Sequence, residues 1–147
     1  MKIVTLTRAH VLHLAKNAKP NKRIMMGNIL DALPAYTMPG RGHAIMDNGE
    51  IYAAWGLAPI WDGVAEGWMV PSKLIDSRKI SVSRAIRQQL ERDIVRLKLR
   101  RVQAAVRKDF VEAHRFIQFL GFESEGLMHK FGPDGADYER YARWQIH

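Results

Sequence analysis

Apolar residues recur at helical spacing in four segments of the chain. The pattern predicts a helix from Thr7, a good N-cap, to Pro20, and a second over Met25–Leu33. A third segment, Phe110–Leu120, is densely apolar and is followed by Gly121, which suits the position after a helix. The clearest helix runs over Val82–Leu99, and one apolar stripe on it comprises Val82, Ile86, Leu90, Ile94 and Leu97.

Short apolar runs that are separated by turn residues predict the strands. Asp47–Gly49 separates His43–Met46 from Ile51–Ile60, and its Asn-Gly pair favours a hairpin because both residues tolerate positive φ. Two further turns are predicted at Trp61–Gly63 and Gly132–Gly135. The other strands are predicted over Lys2–Leu6, Val64–Val70, Arg101–Val106, Phe122–Phe131 and Tyr138–Trp144.

This order of elements predicts a single α+β domain over residues 1–147. Its sheet is expected to be mixed but mainly antiparallel, with about six to seven strands flanked by about four helices. The chain length of 147 residues fits one domain, and 47% hydrophobic with 26% charged residues argues against disorder.

Composition also excludes several classes of protein. No apolar run approaches the ~20 residues that span a bilayer, so no membrane association is expected. The chain has no cysteine, which excludes disulfides and thiolate metal sites and permits a cytoplasmic location. His10 and His13 are three residues apart on a predicted helix but have no third partner, so no metal is expected.

Positive charge is concentrated in one segment. The net charge is +8, and nine basic but only two acidic residues lie between Arg78 and Arg101. Such a field attracts a nucleic acid, an acidic protein or a phosphorylated cofactor, although a solvated helix face has the same composition. Nucleic acid is the least favoured partner, because no aromatic residues for base stacking accompany this helix.

The order of elements and the stretch Ala113–Phe122, which ends in Gly-Phe, resemble the GNAT (general N-acetyltransferase) superfamily. The resemblance implies a GNAT-like fold and transfer of an acetyl group from acetyl-CoA to a primary amine of a protein or small molecule. Trp68–Ser72 and the basic helix that follows are similar to small GNAT-like proteins encoded by tailed phages. The alternative is therefore a catalytically degenerate binding module for a host or virion protein, in the host cytoplasm or the virion.

The resemblance also implies where acetyl-CoA binds. In this family a helix start holds the pyrophosphate, and the family's loop pattern falls on Arg78–Ser83, with Ser81 and Ser83 in place of glycines. A serine that adopts positive φ costs on the order of 1–2 kcal/mol relative to glycine. The alternative interpretation is that Ser83 is the N-cap of the helix that follows. The implied cofactor-binding set comprises Val70, Arg78, Lys79, Ile80, Ser81, Val82 and Ser83, with a backbone N–H near Val70 as the oxyanion donor.

In this sequence Ile117 stands where the family usually has a catalytic tyrosine, and Phe110 stands where it often has a cofactor-binding asparagine. Ile117 and Phe110 are therefore expected to be core residues. Glu66, on a predicted strand, is the candidate base, with a solvent-facing or salt-bridged carboxylate as the alternative. Tyr138 is a candidate replacement acid, with packing as the alternative. Tyr36, in the Ala35–Gly42 loop, is a candidate contact for the acceptor amine. The oligomeric state is left open.

Overall fold

The computed structural model describes residues 1–17 and 40–144. The α+β class and the number of strands are confirmed, whereas the predicted helix Met25–Leu33 and Tyr36 lie outside the described residues. In chain order the elements are β1 (Lys2–Thr5), α1 (Arg8–Asn17), β2 (Gly42–Asp47), β3 (Glu50–Trp61), β4 (Val64–Pro71), a 3-10 turn (Ile75–Arg78), α2 (Lys79–Arg96), β5 (Arg101–Arg107), α3 (Val111–Phe119), β6 (Glu123–Met128) and β7 (Tyr138–Arg143).

The seven strands form one sheet in the order β1-β2-β3-β4-β5-β7-β6. All neighbours are antiparallel except β4 and β5, whose parallel pairing requires the crossover that α2 provides. The β2–β3 turn has φ of 50° at Asn48 and 78° at Gly49, as a two-residue hairpin turn requires. The predicted hairpins are therefore present.

The parallel pair β4–β5 is short. Only Val64, Ala65 and Glu66 pair with β5, opposite residues 101–103, although β4 continues to Pro71 and β5 to Arg107. Beyond this point the two strands separate while each keeps its antiparallel neighbour on the other side. A wedge-shaped gap therefore opens in the middle of the sheet.

Helices cover both faces of the sheet. α2 and α3 pack on one face over a core that includes Ile86, Leu90 and Ile117. α1 packs on the other face, where Val11 and Leu14 join a smaller cluster with strand residues that include Trp68 and Val70. Each apolar helix stripe therefore finds a sheet face that is also apolar, which is the main stabilising contact of such a domain.

α2 begins and ends about three residues before the predicted Val82–Leu99. It ends because Lys98 adopts φ of 53°, and the Leu99 N–H then donates to the Ile94 carbonyl at 3.0 Å, closing the last turn. α3 ends in the same way at Gly121, with φ of 92°, as predicted. A residue with positive φ therefore follows each of these two helices, and after α2 that residue is lysine rather than glycine.

A buried carboxylate fastens α2 to β2. Asp93 is buried and accepts hydrogen bonds from His43 Nε2 at 2.8 Å, from Arg96 at 2.9 Å and from Gln89 at 3.1 Å. Burial alone would raise the pKa of Asp93, but the hydrogen bonds from His43 and Arg96 outweigh it and hold this pKa below its usual value. The carboxylate is therefore ionised at neutral pH.

We expect Asp93→Ala to lower the free energy of unfolding at pH 7 by about 3 kcal/mol, because His43 and Gln89 lose a buried acceptor. A depressed pKa stabilises the fold above the ordinary value of 3.8, and this contribution is lost as the pH falls through the folded-state pKa. Urea denaturation at pH 7 and pH 3 should therefore show the difference between wild type and variant shrinking in acid.

The matched control is Glu91→Ala, which removes an exposed carboxylate of the same helix that pairs with Arg143. It should cost no more than about 1 kcal/mol. An Asp93→Ala effect as small as that of the control would contradict the role of Asp93.

Candidate functional site

A cleft of about 470 Å³ lies where the end of β4 meets the first turns of α2 and α3. Its interior is mainly apolar and its rim is charged, as is common for small-molecule sites. The lining residues are Met69, Pro71 and Ile75 before α2; Lys79, Ile80, Ser83 and Arg84 on α2; and Glu112, Ala113, Arg115, Phe116 and Phe119 on α3.

The start of α2 opens into this cleft. α2 follows the 3-10 turn directly, with Arg78 as its N-cap and no side chain capping it. N–H groups at a helix start have no carbonyl one turn earlier, and the helix dipole adds partial positive charge there. An anion in the cleft would therefore meet the backbone donor at Ile80 beside the Lys79 ammonium.

Ser81 and Ser83 lie within α2, because the helix begins at Lys79. The prediction of Ser83 as an N-cap is therefore wrong. Ser72 brings the chain into a helical path earlier, since its Oγ accepts from the Leu74 N–H at 3.2 Å. Neither serine has positive φ, so the expected cost of replacing glycine does not arise. Ser83 lines the cleft, and Ser81 is exposed on the first turn.

Four predicted cofactor-binding residues do not line the cleft: Val70, Arg78, Ser81 and Val82. Arg78 NH1 instead lies 2.7 Å from Asp47 Oδ2, and its guanidinium lies over the Tyr52 ring. Val70 and Val82 are fully buried, Val70 in the cluster beneath α1 and Val82 in the core beneath α2. Arg78 therefore fastens the start of α2 to the β2–β3 hairpin.

Glu66 is half-buried on β4, at the last residue before β4 and β5 separate. Arg140 NH1 on β7 lies 2.9 Å from one carboxylate oxygen and 3.1 Å from the other, and Gln103 Nε2 lies 3.2 Å away. Glu66 and Met69 are three residues apart on β4, so Glu66 lies on the sheet face opposite the cleft and does not line it. The salt-bridged alternative is therefore observed, at a position beside the gap.

The two tyrosines of β7 lie on opposite faces of the sheet. Tyr138 is buried and its ring packs edge-on against Phe131 at 5.5 Å between centroids. Tyr141 lies in the main core with its hydroxyl 2.7 Å from His114 Nδ1, and burial raises its pKa to about 12. Neither tyrosine lines the cleft. Packing is thus the evident role of both, and Tyr138 alone shares a face with Glu66.

Ile117 is buried in the core, as predicted. The prediction that Phe110 is a core residue is wrong, because it is half-buried at the start of α3 with the Arg107 guanidinium over its ring. Neither side chain has a polar atom, so neither can protonate a leaving group or bind an amide.

Thr7 and His10 cap α1 reciprocally. The Thr7 N–H donates to His10 Nδ1 at 3.0 Å, and the His10 N–H donates to Thr7 Oγ1 at 3.3 Å.

Nowhere in the described part of the chain do three or more His, Cys, Asp or Glu residues come together as a metal site requires. None of the helices within residues 1–17 and 40–144 combines the length and apolar character that a bilayer-spanning helix needs.

Comparison with solved structures identifies the architecture. Ard1 from Thermoplasma volcanium superimposes with a TM-score of 0.79 at 16% identity, covering 97% of this chain and 95% of that chain. The ribosomal-protein-S18-alanine N-acetyltransferase from Escherichia coli gives 0.72 at 16% identity, with 96% and 91% covered. The F149A mutant of the Vibrio cholerae spermidine N-acetyltransferase SpeG gives 0.71 at 15% identity, with 99% and 95% covered. The chain has a GNAT-like fold. No family model and no curated protein matches its sequence.

From the sequence, three of the twelve residues that line the cleft were predicted and the other nine were missed. The loop pattern pointed to the start of α2, which supplies Lys79, Ile80 and Ser83. Arg115 and Glu112 on α3 enter the cleft only because α3 packs beside α2, a tertiary contact without a local signal. Arg140 was also missed, because its contact with Glu66 spans 74 residues of chain.

An ion pair crosses the cleft between the two helices. Lys79 Nζ on α2 lies 3.7 Å from Glu112 Oε1 on α3, and both side chains are about half exposed. Glu112 thereby competes with any anion for the Lys79 ammonium. We expect Glu112→Gln to bind coenzyme A about two- to fivefold more tightly at low salt, with the gain disappearing at high salt.

Isothermal titration at two salt concentrations measures this effect. Glu125→Gln is the control, since Glu125 pairs with Arg101 on the far side of the sheet. Equal effects of the two substitutions would show that only net charge matters and that the pair across the cleft has no role.

Proposed function

We propose that this chain is an acetyl-CoA-dependent N-acetyltransferase acting on a primary amine of a protein or small molecule. One observation carries the proposal: the gap between β4 and β5 opens into a cleft that ends at the uncapped start of α2. A thioester with a polyphosphate at one end fits such a site, its anionic end at the helix and its reactive end at the gap.

The residues present fit coenzyme A. The backbone donor at Ile80 suits a diphosphate, and the rim adds positive charge from Lys79, Arg84 and Arg115. The apolar interior suits the pantetheine arm, whose amides would pair with the edge of β4 that faces the gap. Ser81 and Ser83 do not prevent coenzyme A from binding in this way, because both residues are helical and neither needs the positive φ of glycine.

The bound thioester supplies an acyl carbon at which a C–N bond forms as the C–S bond breaks. The chain's own contribution is to hold that carbon beside the gap and to exclude water from it. Glu66 accepts the proton of the attacking amine from the opposite face, through a water molecule, while Arg140 and Gln103 fix the carboxylate. A backbone N–H near Val70 donates to the developing oxyanion.

Protonation of the leaving thiolate has two candidate sources. Ile117 occupies the position where the family places a tyrosine and has no proton to give. Tyr138 shares a sheet face with Glu66 and is the residue of this chain proposed for the role; solvent is the other source. Tyr138→Phe removes only the hydroxyl and distinguishes the two.

A second candidate function is a binding module that has lost catalysis, whose partner would be a host or virion protein. The pairing of Glu66 with Arg140 and the apolar Ile117 favour it, because both remove proton-transfer groups. In that case coenzyme A would not bind, and the partner would be recovered from cell lysate by the intact chain.

The cofactor site is tested by removing one backbone donor. Proline is tolerated in the first turn of a helix, where its missing N–H has no intrahelical partner. Lys79 has helical φ and ψ, which are disfavoured before proline, so Ile80→Pro should fold with a lowered melting temperature. At a temperature where both variants are folded, Ile80→Pro should bind coenzyme A at least about tenfold more weakly than Ile80→Ala, which keeps the N–H; this is the loss expected of a charge-assisted hydrogen bond.

Thermal shift and isothermal titration with coenzyme A provide the readouts, since a ligand of the native state raises its melting temperature. Absence of binding by the wild type would refute the cofactor assignment. Equal affinity of both Ile80 variants would place the diphosphate elsewhere.

The role of Glu66 is tested with Glu66→Gln, which keeps the shape and the hydrogen bond to Arg140 but cannot accept the proton. Turnover with a panel of amines should fall by about 10²–10⁴-fold while coenzyme A affinity stays unchanged. Raising the pH should partly restore turnover, because more of the amine is then already deprotonated. Unchanged turnover would remove Glu66 from the mechanism.

A further inference from the structure

A second, smaller cavity lies behind the cleft, at the point where β4 and β5 separate. Its volume is about 40 Å³ and its lining is almost entirely apolar. Gly67 on β4 and Ala104 on β5 border it on the sheet side, and Ile117 on α3 borders it from above. The cavity exists because the residues at the two strands carry little or no side chain.

The cleft and this inner cavity share two lining residues, Met69 and Phe116. Met69 lies on β4 two residues from Gly67, so the cavity continues the cleft along the strand. Methionine is unbranched and changes rotamer at low cost. Both side chains therefore lie between the cleft and the inner cavity, and Met69 is the more easily displaced of the two.

The distance along β4 from Pro71 to Gly67 indicates which part of a bound ligand lies at the inner cavity. Pro71 lines the cleft near the start of α2, and Gly67 lines the inner cavity. Four residues of strand span roughly 13 Å. A ligand whose diphosphate lies at Ile80 and whose arm follows β4 would therefore place its far end, the acyl group, beside Gly67.

We propose that the inner cavity takes the acyl chain of the donor thioester, so that the protein that uses acetyl-CoA also takes propionyl- and butyryl-CoA and binds these longer donors more tightly. This rests on the proposed function and deepens it. About 40 Å³ is room for one or two methylene-sized groups, given that a water molecule occupies about 30 Å³. An apolar lining favours an uncharged chain and rejects a carboxylate of the same length.

The chemistry of transfer is unchanged by a longer chain. The amine nitrogen bonds to the thioester carbon, the C–S bond breaks, and the amine proton passes to the base while the thiol leaves. The additional methylenes act only through burial, which tightens binding about fourfold for each one that leaves water. Gly67 and Ala104 are thus specificity-determining residues rather than catalytic ones.

The experiment compares the binding of coenzyme A, acetyl-, propionyl-, butyryl- and succinyl-CoA by isothermal titration, which requires no acceptor. We expect butyryl-CoA, which has two more methylenes, to bind roughly 16-fold more tightly than acetyl-CoA, and succinyl-CoA to bind more weakly than butyryl-CoA. Gly67→Ala should reduce the advantage of butyryl-CoA over acetyl-CoA to about twofold.

Gly67→Ala is suited to this test because its new Cβ would lie 3.6 Å from the Gln103 carbonyl oxygen and 3.9 Å from the Ala104 Cβ, which are ordinary contacts. Ala136→Val is the control for a larger side chain at a half-buried position. Ala136 lies in the β6–β7 loop and lines neither the cleft nor the inner cavity. Ala104→Val fills the same cavity from β5 and should act as Gly67→Ala does, so the outcome does not depend on one variant folding.

Acetyl-CoA binding as tightly as the longer thioesters, or a ratio that neither cavity-filling substitution alters, would overturn the acyl-chain assignment while leaving the transferase proposal intact. Failure of coenzyme A and of every thioester to bind would overturn the proposed function and this inference together.

Discussion

The separation of β4 from β5 is the constraint on which the rest of the structure depends. Parallel neighbours in a sheet stay about 4.8 Å apart only while their backbone groups pair, and here pairing stops after Glu66. Phe116 and Ile117 of α3 then pack over the wedge with Met69 of β4. The cleft, the inner cavity and the approach to Glu66 from the other face all follow from this one interruption.

The start of α2 must be held at the mouth of the wedge for the site to have a fixed shape. Two polar contacts do so, and both end on β2: Arg78 pairs with Asp47 at one end of the helix, and Asp93 pairs with His43 near the other. The apolar stripe of α2 supplies most of its burial, but apolar contacts are not directional. These two polar contacts therefore set where along β2 the helix lies.

The sequence predicted the fold to a large extent because its patterns are local and mutually consistent. Periodicity located the helices, and Asn48–Gly49 and Gly121 marked a turn and a helix end whose positive φ the structure confirms. Errors arose where a local signal was ambiguous. Lys98 ends α2 without being glycine, and Ser83 suggested a cap that the preceding 3-10 turn makes unnecessary.

The site was less predictable, since its walls come from segments that are distant in the chain. Lys79 and Ile80 were found from the loop pattern, whereas Arg115 and Phe116 enter the cleft through helix packing. Arg78 pairs with Asp47, and Glu66 pairs with Arg140. These contacts change the roles that Arg78 and Glu66 can have, and the local sequence does not indicate either of them.

The most direct test of the account is a crystal structure of the chain with coenzyme A. The account predicts a diphosphate oxygen within hydrogen-bond distance of the Ile80 N–H, with the pantetheine arm along β4 toward Gly67. A cleft that remains closed by the side chains of α2 and α3 in excess coenzyme, or a coenzyme bound away from the β4–β5 gap, would contradict it.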